Sequence, residues 1–519
     1  MGSGASLDAV PGVASARSGR FTINLVSNLG QLGLTMVLGA WYVPFLVRQL
    51  GPAAYGLIPL AGSITSYMAL ITLGLNSAVG RYLTIALEQK DDRRASLIFN
   101  TSLWGNLALT AVLLGLAAVG MVYLNRLIRV PLGFEAQARW LFAGTSAAFL
   151  LNELKTPFDV SSFCRNRFDL RNLVSISEVL TRVGLVVLLF YVASPSIHYV
   201  GVAIFSGTVV SAAGAFWLWK VLTPTLRVHA RDFDWSILRE LTTTGGWVVV
   251  NHIGAILYLS IELLVANRLF GAEEGGKYAA VLQLPTLVRT LGSTIGAVFS
   301  PTVLYYFARK DLDGLMNYLG RAVKCLGVML ALPISLMCGF AEPLLRLWLG
   351  PGFSGFHPLL FLMAAHLCIN VPILPLLGLQ LATNRVKIPA VVTMVMGLAN
   401  LGLALVLAGP LHWNLYGIAA AGAIMLTVKN VLFTPIYGAH VLGKPCGRFF
   451  GELALIVVLT LASISLCRGV LWLRPIDGWG QLAMASLGVS VLYGLVVYRF
   501  VLTAQERRMV RGMIPFRPG

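Results

Sequence analysis

Residues 45–83 read FLVRQLGPAAYGLIPLAGSITSYMALITLGLNSAVGRYL. Arg48 and Gly51 close one apolar run, and a second begins at once. The same punctuation returns later. Arg48, Gly51, Lys90 and Asp91 recur as Arg268, Gly271, Lys310 and Asp311, each 220 residues on (271 − 51). Asn152, Pro157, Asn166 and Arg167 recur as Asn370, Pro375, Asn384 and Arg385, each 218 residues on (370 − 152). A slip of two residues over such a distance is one small loop change. The chain therefore reads as two copies of a unit of six apolar segments. A duplicated helical bundle with its site at the repeat interface is a common transporter design.

Composition outside that stretch agrees. The chain is 57% hydrophobic and 12% charged, against about 25% charged in a soluble domain. Its mean hydropathy is +0.79. A helix needs about 20 apolar residues to cross the hydrocarbon core, and such runs recur from end to end. They fall near 21–46, 54–79, 97–123, 138–153, 173–193, 199–220, 242–266, 278–304, 321–341, 358–380, 388–408, 414–438, 450–470 and 480–500. Only helices or closed barrels satisfy their backbone in lipid. The expected architecture is an all-α membrane protein with fourteen transmembrane helices. Two six-helix pseudo-symmetric lobes would surround a central cavity, with two further helices at the C-terminus. The expected boundaries are a cytoplasmic tail at 1–20, an N-lobe at 21–230, a C-lobe at 231–445, the extra helices at 446–503 and a cytoplasmic tail at 504–519.

A net charge of +18 raises the question of nucleic acid. Its distribution answers it. With the N-terminus inside, the inner segments hold 28 of the 39 Lys and Arg and the outer loops 9, with Arg182 and Arg289 left inside spans. That is a positive-inside pattern, directed at anionic lipid, and no soluble basic domain exists to grip nucleic acid. Both termini are expected in the cytoplasm. The six cysteines are scattered without metal spacing. The Asp311-Leu312-Asp313 triplet sits in a short linker with no catalytic domain around it, and no phosphate-binding P-loop motif occurs. No cofactor and no enzyme activity are expected.

Polar residues inside spans are costly in lipid and should meet a cavity or a partner. Asn24, Asn28, Gln31 and Thr35 step by 4, 3 and 4 along one helical face. Asn251, Ala255, Tyr258 and Glu262 step likewise in the seventh span, with His252 beside them. Interhelical hydrogen bonding competes with a shared water-filled cavity. The second span adds Tyr67 and Asn76, and the eighth adds Gln283 and Arg289. Arg289 lies near mid-bilayer, either as a partner of Glu262 or as counter-charge to an anionic substrate. Counting from Tyr55 and Tyr278, its counterpart in the first half is Ser66. Arg182 stands four residues after Glu178, spaced for a pair on one helix. The substrate-facing candidates are thus Asn24, Asn28, Gln31, Tyr67, Asn76, Arg182, Asn251, His252, Glu262, Gln283 and Arg289. Pro372 and Pro375 should kink the tenth span, and Pro157 bears on the fourth in the same way.

The opening stretch resembles the start of polysaccharide flippases of the multidrug/oligosaccharidyl-lipid/polysaccharide exporter superfamily. The resemblance rests on Arg48, Leu50, Gly51, Tyr55 and Gly56, then Gly74, Leu75, Ala78 and Arg81. It implies two lobes around a cavity lined by helices 1, 2, 7 and 8. It also implies a substrate: an undecaprenyl-diphosphate type of lipid-linked oligosaccharide, flipped to the outer leaflet by alternating access. Polysaccharide polymerase and chain-length machinery are the implied partners besides membrane lipids, and coupling to H+ or Na+ stays open. A lipid II flippase and a drug/cation antiporter of the same superfamily remain alternatives. From another class, a membrane glycosyltransferase or ligase would need a large outer loop with catalytic acids, and the outer loops here are short.

Overall fold

The computed structural model describes residues 11–229, 231–383, 385–504 and 506–507. By packing, the chain divides into two units. One holds the residues up to Ile253 together with Gly271–Gly276, and the other holds Gly254–Phe270 and everything from Lys277 onward.

In the first unit α1 (Pro11–Leu50) and α2 (Pro52–Glu88) meet at Gly51, where φ is 78°. That left-handed value favours glycine. Gly56 is needed for space, since a Cβ there would come within 2.5 Å of the Gly276 Cα. Then follow α3 (Asp92–Val122), the single turn α4 (Leu124–Leu127), α5 (Glu135–Cys164), α6 (Phe168–Val192) and α7 (Ile197–Leu222). Leu75, Val79, Leu83, Phe99 and Trp219 form a core among α2, α3 and α7, with the Phe99 and Trp219 rings stacked 5.8 Å apart. α8 (Trp235–Leu259) starts in this unit and ends in the other.

The second unit continues with α9 (Ile261–Ala297), α10 (Ser300–Ala308), α11 (Leu312–Gly339), α12 (Ala341–Leu349), α13 (His357–Ala365), α14 (Leu367–Asn370), α15 (Pro375–Ala382) and α16 (Lys387–Ala408). α17 (Asn414–Val428) runs through a π-helical turn at Lys429–Phe433 into α18 (Thr434–Leu442). The last pair, α19 (Gly447–Leu473) and α20 (Trp479–Val496), packs on α11. Ser335 donates to the Thr460 carbonyl (3.2 Å), and the Tyr493 hydroxyl donates to the Val328 carbonyl (2.6 Å).

The backbone carries the duplication. Gly271 interrupts α9 at φ 92°, matching Gly51. Lys90 and Lys310 are both left-handed, at φ 58° and 57°. Asp91 caps α3 through the Arg94 N–H (2.9 Å), and Asp311 caps α11 through the Gly314 N–H (2.8 Å). Each pair is 220 apart. That register sets Arg289 opposite Ala69 (289 − 220) and replaces the Ser66 counterpart counted from the tyrosines.

Twelve helical stretches are long and apolar enough to cross a membrane among the described residues. One of them, Gly246–Ala308, has 63 residues. At 1.5 Å per residue it would be about 95 Å long, so it is two spans broken at Ser260 and Gly271. α5, at 30 residues, is also long enough to cross but is more polar, with Glu153, Lys155 and Asp159 within it. Counting both gives fourteen. α5 also runs on through Pro157 without a break, beyond the expected end at 153. Between Asn370 and Pro375 the chain does leave the helix, through turns, as two prolines in quick succession require. α1 begins at Pro11, so half of the expected N-terminal tail is helical; residues 1–10 and 508–519 lie outside the described residues. The expected lobe boundary at 230 differs from the division by packing, which places about three-quarters of α8, up to Ile253, with the first unit.

Candidate functional site

The stripe on α1 is a seam. Asn24 Nδ2 donates to the Asn166 carbonyl (3.1 Å), and Asn24 Oδ1 accepts from the Asp169 N–H (3.2 Å). Asn172 Nδ2 donates to Asn28 Oδ1 (2.6 Å), and Gln31 Nε2 donates to Ser175 Oγ (2.7 Å). Three of the candidates thus spend their amides on α6 and the turn that leads into it, inside the first unit. Small amides do this well between membrane helices.

The other first-unit candidates divide. Asn76 Nδ2 donates to Asn106 Oδ1 (3.1 Å) and Glu153 Oε2 (3.2 Å), making a polar knot among α2, α3 and α5. Tyr67 lines an apolar cleft beside α3. Glu178 does not pair with Arg182. Its Oε2 faces Lys155 Nζ at 4.0 Å, across to α5. Arg182 interacts electrostatically with Tyr42, and its Nε is buried without a hydrogen bond. The i,i+4 spacing allowed the pair, but the nearer cation on the neighbouring helix displaced it.

In the second unit the polar residues collect. The Tyr278 hydroxyl donates to Glu262 Oε2 at 2.6 Å, and both side chains are buried. Arg289 interacts electrostatically with Glu262 and with His366. Its Nε and the second oxygen of Glu262 are buried without hydrogen bonds. Arg289 sits midway between Gly271 and Ala308, so its charge lies deep within the span. His366 Nδ1 lies 2.8 Å from Asn370 Nδ2, which also donates to Thr427 (3.1 Å). Asn430 Nδ2 donates to Asn370 Oδ1 (3.0 Å). Gln283 is half-buried on the same helix as Arg289. Asn251 and His252 are exposed on the part of α8 that belongs to the first unit.

Four charged groups escaped the sequence reading. The charge count put Lys429 in an inner segment. It lies instead midway along Asn414–Leu442, buried in the π turn, with Nζ donating to the Tyr258 hydroxyl at 3.0 Å. A lysine inside TVKNVLF, flanked by apolar residues on both sides, was the available signal. Glu153, Lys155 and Asp159 were assigned to the end of a span and a linker, but α5 carries them inside the first unit. Lys155 Nζ lies 3.6 Å from Asp159 Oδ2. Their i,i+4 spacing gave a hint that the helix continued.

Long apolar helices, a twofold repeat and buried charge at mid-span define a membrane protein of transporter fold. The solved structures agree. An inward-facing MATE family transporter of the MOP superfamily matches with a TM-score of 0.65 at 14% identity, covering 80% of this chain and 98% of that one. The lipid II flippase MurJ, in its inward closed conformation, matches with a TM-score of 0.62 at 14% identity, covering 93% and 100%. The family described as "Polysaccharide biosynthesis protein" matches residues 22–304, and the chain belongs to it. The uncharacterised membrane protein EpsK of Bacillus subtilis (strain 168) is 34% identical over 491 residues, 95% of this chain and 97% of that protein. A Shigella flexneri protein provisionally named an O-antigen transporter is 21% identical over 374 residues, covering 71% and 86%.

Proposed function

We propose that this protein flips an isoprenoid-diphosphate-linked oligosaccharide from the inner to the outer leaflet of the bacterial cytoplasmic membrane, for cell-surface polysaccharide synthesis. It does so by alternating access, with both termini in the cytoplasm. Family membership and the named relatives support the class. The observation that carries the reading is Arg289. A guanidinium at mid-span costs about 3 kcal/mol in lipid, so it is kept for a purpose. Its register partner is Ala69, so the repeat does not demand a charge there. Glu262 is its resting counter-ion, and a diphosphate takes that place when substrate arrives. Guanidinium suits phosphate because its fork donates two parallel hydrogen bonds. Asn251, His252 and Gln283 remain further candidates for sugar contact.

The test is complementation of glycan export with expression controls. Arg289→Ala should abolish export with the protein still inserted. Arg289→Lys should restore it in part, since charge returns without the fork. Glu262→Gln should retain substrate binding but alter the rate. Normal export by Arg289→Ala removes Arg289 from the transport path.

A further inference from the structure

The first unit holds a polar cavity of about 460 Å³ walled by α2, α5, α6 and α7. None of its cationic side chains was among the sequence candidates. That volume lies within the range of small-molecule sites. Its inner wall is neutralised. Lys155 sits between Asp159 (3.6 Å) and Glu178 (4.0 Å) and donates to Ser211, with a side chain only 11% exposed. Its mouth is not. Arg81 and Arg171 line the cavity and are exposed. Neither guanidinium makes a hydrogen bond or ion pair among the described residues, though Arg171 feels the charge of Asp159. Three cations against two carboxylates leave the cavity with one net positive charge. Beside the arginines stands the Phe163 ring, on a side chain that is 47% exposed. Asn152 and Thr156 add polar groups to the same wall.

Two unengaged guanidinium forks next to an exposed aromatic face suit one chemistry. The forks take phosphate oxygens in bidentate pairs. The ring covers the C–H face of a sugar, while the amide and hydroxyl meet its hydroxyls. We infer that this cavity docks the diphosphate–sugar headgroup of the transported lipid, with Arg81 and Arg171 on the phosphates and Phe163 against the first sugar. The inference rests on the transport reading and adds to it a second anion position, separate from Arg289. Lys155 is a positioning residue: it holds Asp159 and Glu178 back, so that neither carboxylate repels the phosphates.

The test uses the full chain in nanodiscs of neutral lipid. Ser77→Cys places a thiol on the cavity wall without touching a proposed headgroup contact, and its maleimide labelling rate is read against the unsubstituted chain, which reports the native cysteines. Three probes are compared: inorganic pyrophosphate, a soluble nucleoside diphosphate sugar and a short-chain isoprenoid-diphosphate disaccharide. The lipid-linked disaccharide should protect the thiol at the lowest concentration. Losing one charge-assisted bond should weaken its affinity about tenfold, so Arg81→Gln and Arg171→Gln should each show that loss and the double variant more. Arg81→Lys with Arg171→Lys should protect partly, because charge persists without the fork. Equal protection by pyrophosphate alone would identify a free-phosphate site and overturn the headgroup assignment. Absence of protection by any probe would overturn it too. A parallel flipping assay separates the two readings. Normal flipping by the double Gln variant sinks the docking site and leaves transport standing. Absence of flipping by the parent chain despite thiol protection sinks the transport reading instead.

Discussion

Lys429 shows what a single residue does in this fold. Its ammonium is buried, donates to the Tyr258 hydroxyl and lies 5.5 Å from the centre of that ring. A hydrogen bond to a charged group contributes about 1.5–3 kcal/mol, and an unsatisfied buried charge costs more. Tyr258→Phe should therefore lower the thermal midpoint in detergent clearly, whereas Lys429→Met, which removes the charge itself, should lower it less. An unchanged midpoint for Tyr258→Phe would show that the ammonium is satisfied elsewhere. The π turn at Lys429–Phe433 belongs to the same setting, since such bulges occur often at functional positions. At this scale the sequence was legible where the physics is local. The positive φ of Gly51 and Gly271, and the Asp91 and Asp311 caps, depend on neighbours a few residues away, so they surfaced as a spaced repeat. Lys429 did not, because a lone cation near a presumed helix end looks the same whether it is buried or solvated.

At the scale of elements, helix number and order were visible in hydropathy, but partners were not. The α1 stripe was readable as one face. Whether that face met water or α6 depends on helix rotation, which 3.6-residue periodicity leaves open. The same applies to Glu178, whose partner Lys155 lies on another helix. The C-terminal pair offers a further case. After the π turn that ends α20, Thr503 and Glu506 form a reciprocal cap: the Thr503 N–H donates to Glu506 Oε2 (2.7 Å), and the Glu506 N–H donates to Thr503 Oγ1 (3.3 Å). Lys324 on α11 donates to the same carboxylate at 3.0 Å. Burial pushes the Glu506 carboxyl up, but these hydrogen bonds outweigh it and hold the group below the usual carboxylate range. A carboxylate depressed in the folded state contributes stability above its unfolded pKa and loses it as pH falls through the folded value. The contact should therefore be intact at neutral pH and open only in acid, below the ordinary carboxylate range. Hydrogen exchange at the amide of residue 506, corrected for intrinsic rate, should show protection that weakens in acid and is lost at any pH in Glu506→Ala, which removes the acceptor. Protection that survives in Glu506→Ala would assign the ordering of this segment to packing without the cap.

For the whole molecule, duplication explains both the economy and the asymmetry. The two halves share their hinges and caps, yet their interiors diverge. The first unit carries the α1–α6 seam and a cavity with two unengaged arginines. The second carries Glu262, Tyr278 and Lys429 buried, with Arg289 half-buried. In the proposed function the two sets serve one amphiphile, whose sugar and diphosphate need hydrated, donor-rich surfaces while its tail stays in the bilayer. Transport here means movement of that amphiphile between leaflets. It is tested by reconstituting the full chain in sealed proteoliposomes with a fluorescent undecaprenyl-diphosphate-linked oligosaccharide, under imposed H+ and Na+ gradients in turn. A membrane-impermeant quencher then reports the fraction in the outer leaflet. Exchange well above that of protein-free vesicles is expected for the wild-type chain, with a return to the protein-free rate for Arg289→Ala. Wild-type exchange equal to that of protein-free vesicles under every gradient would contradict the transport reading.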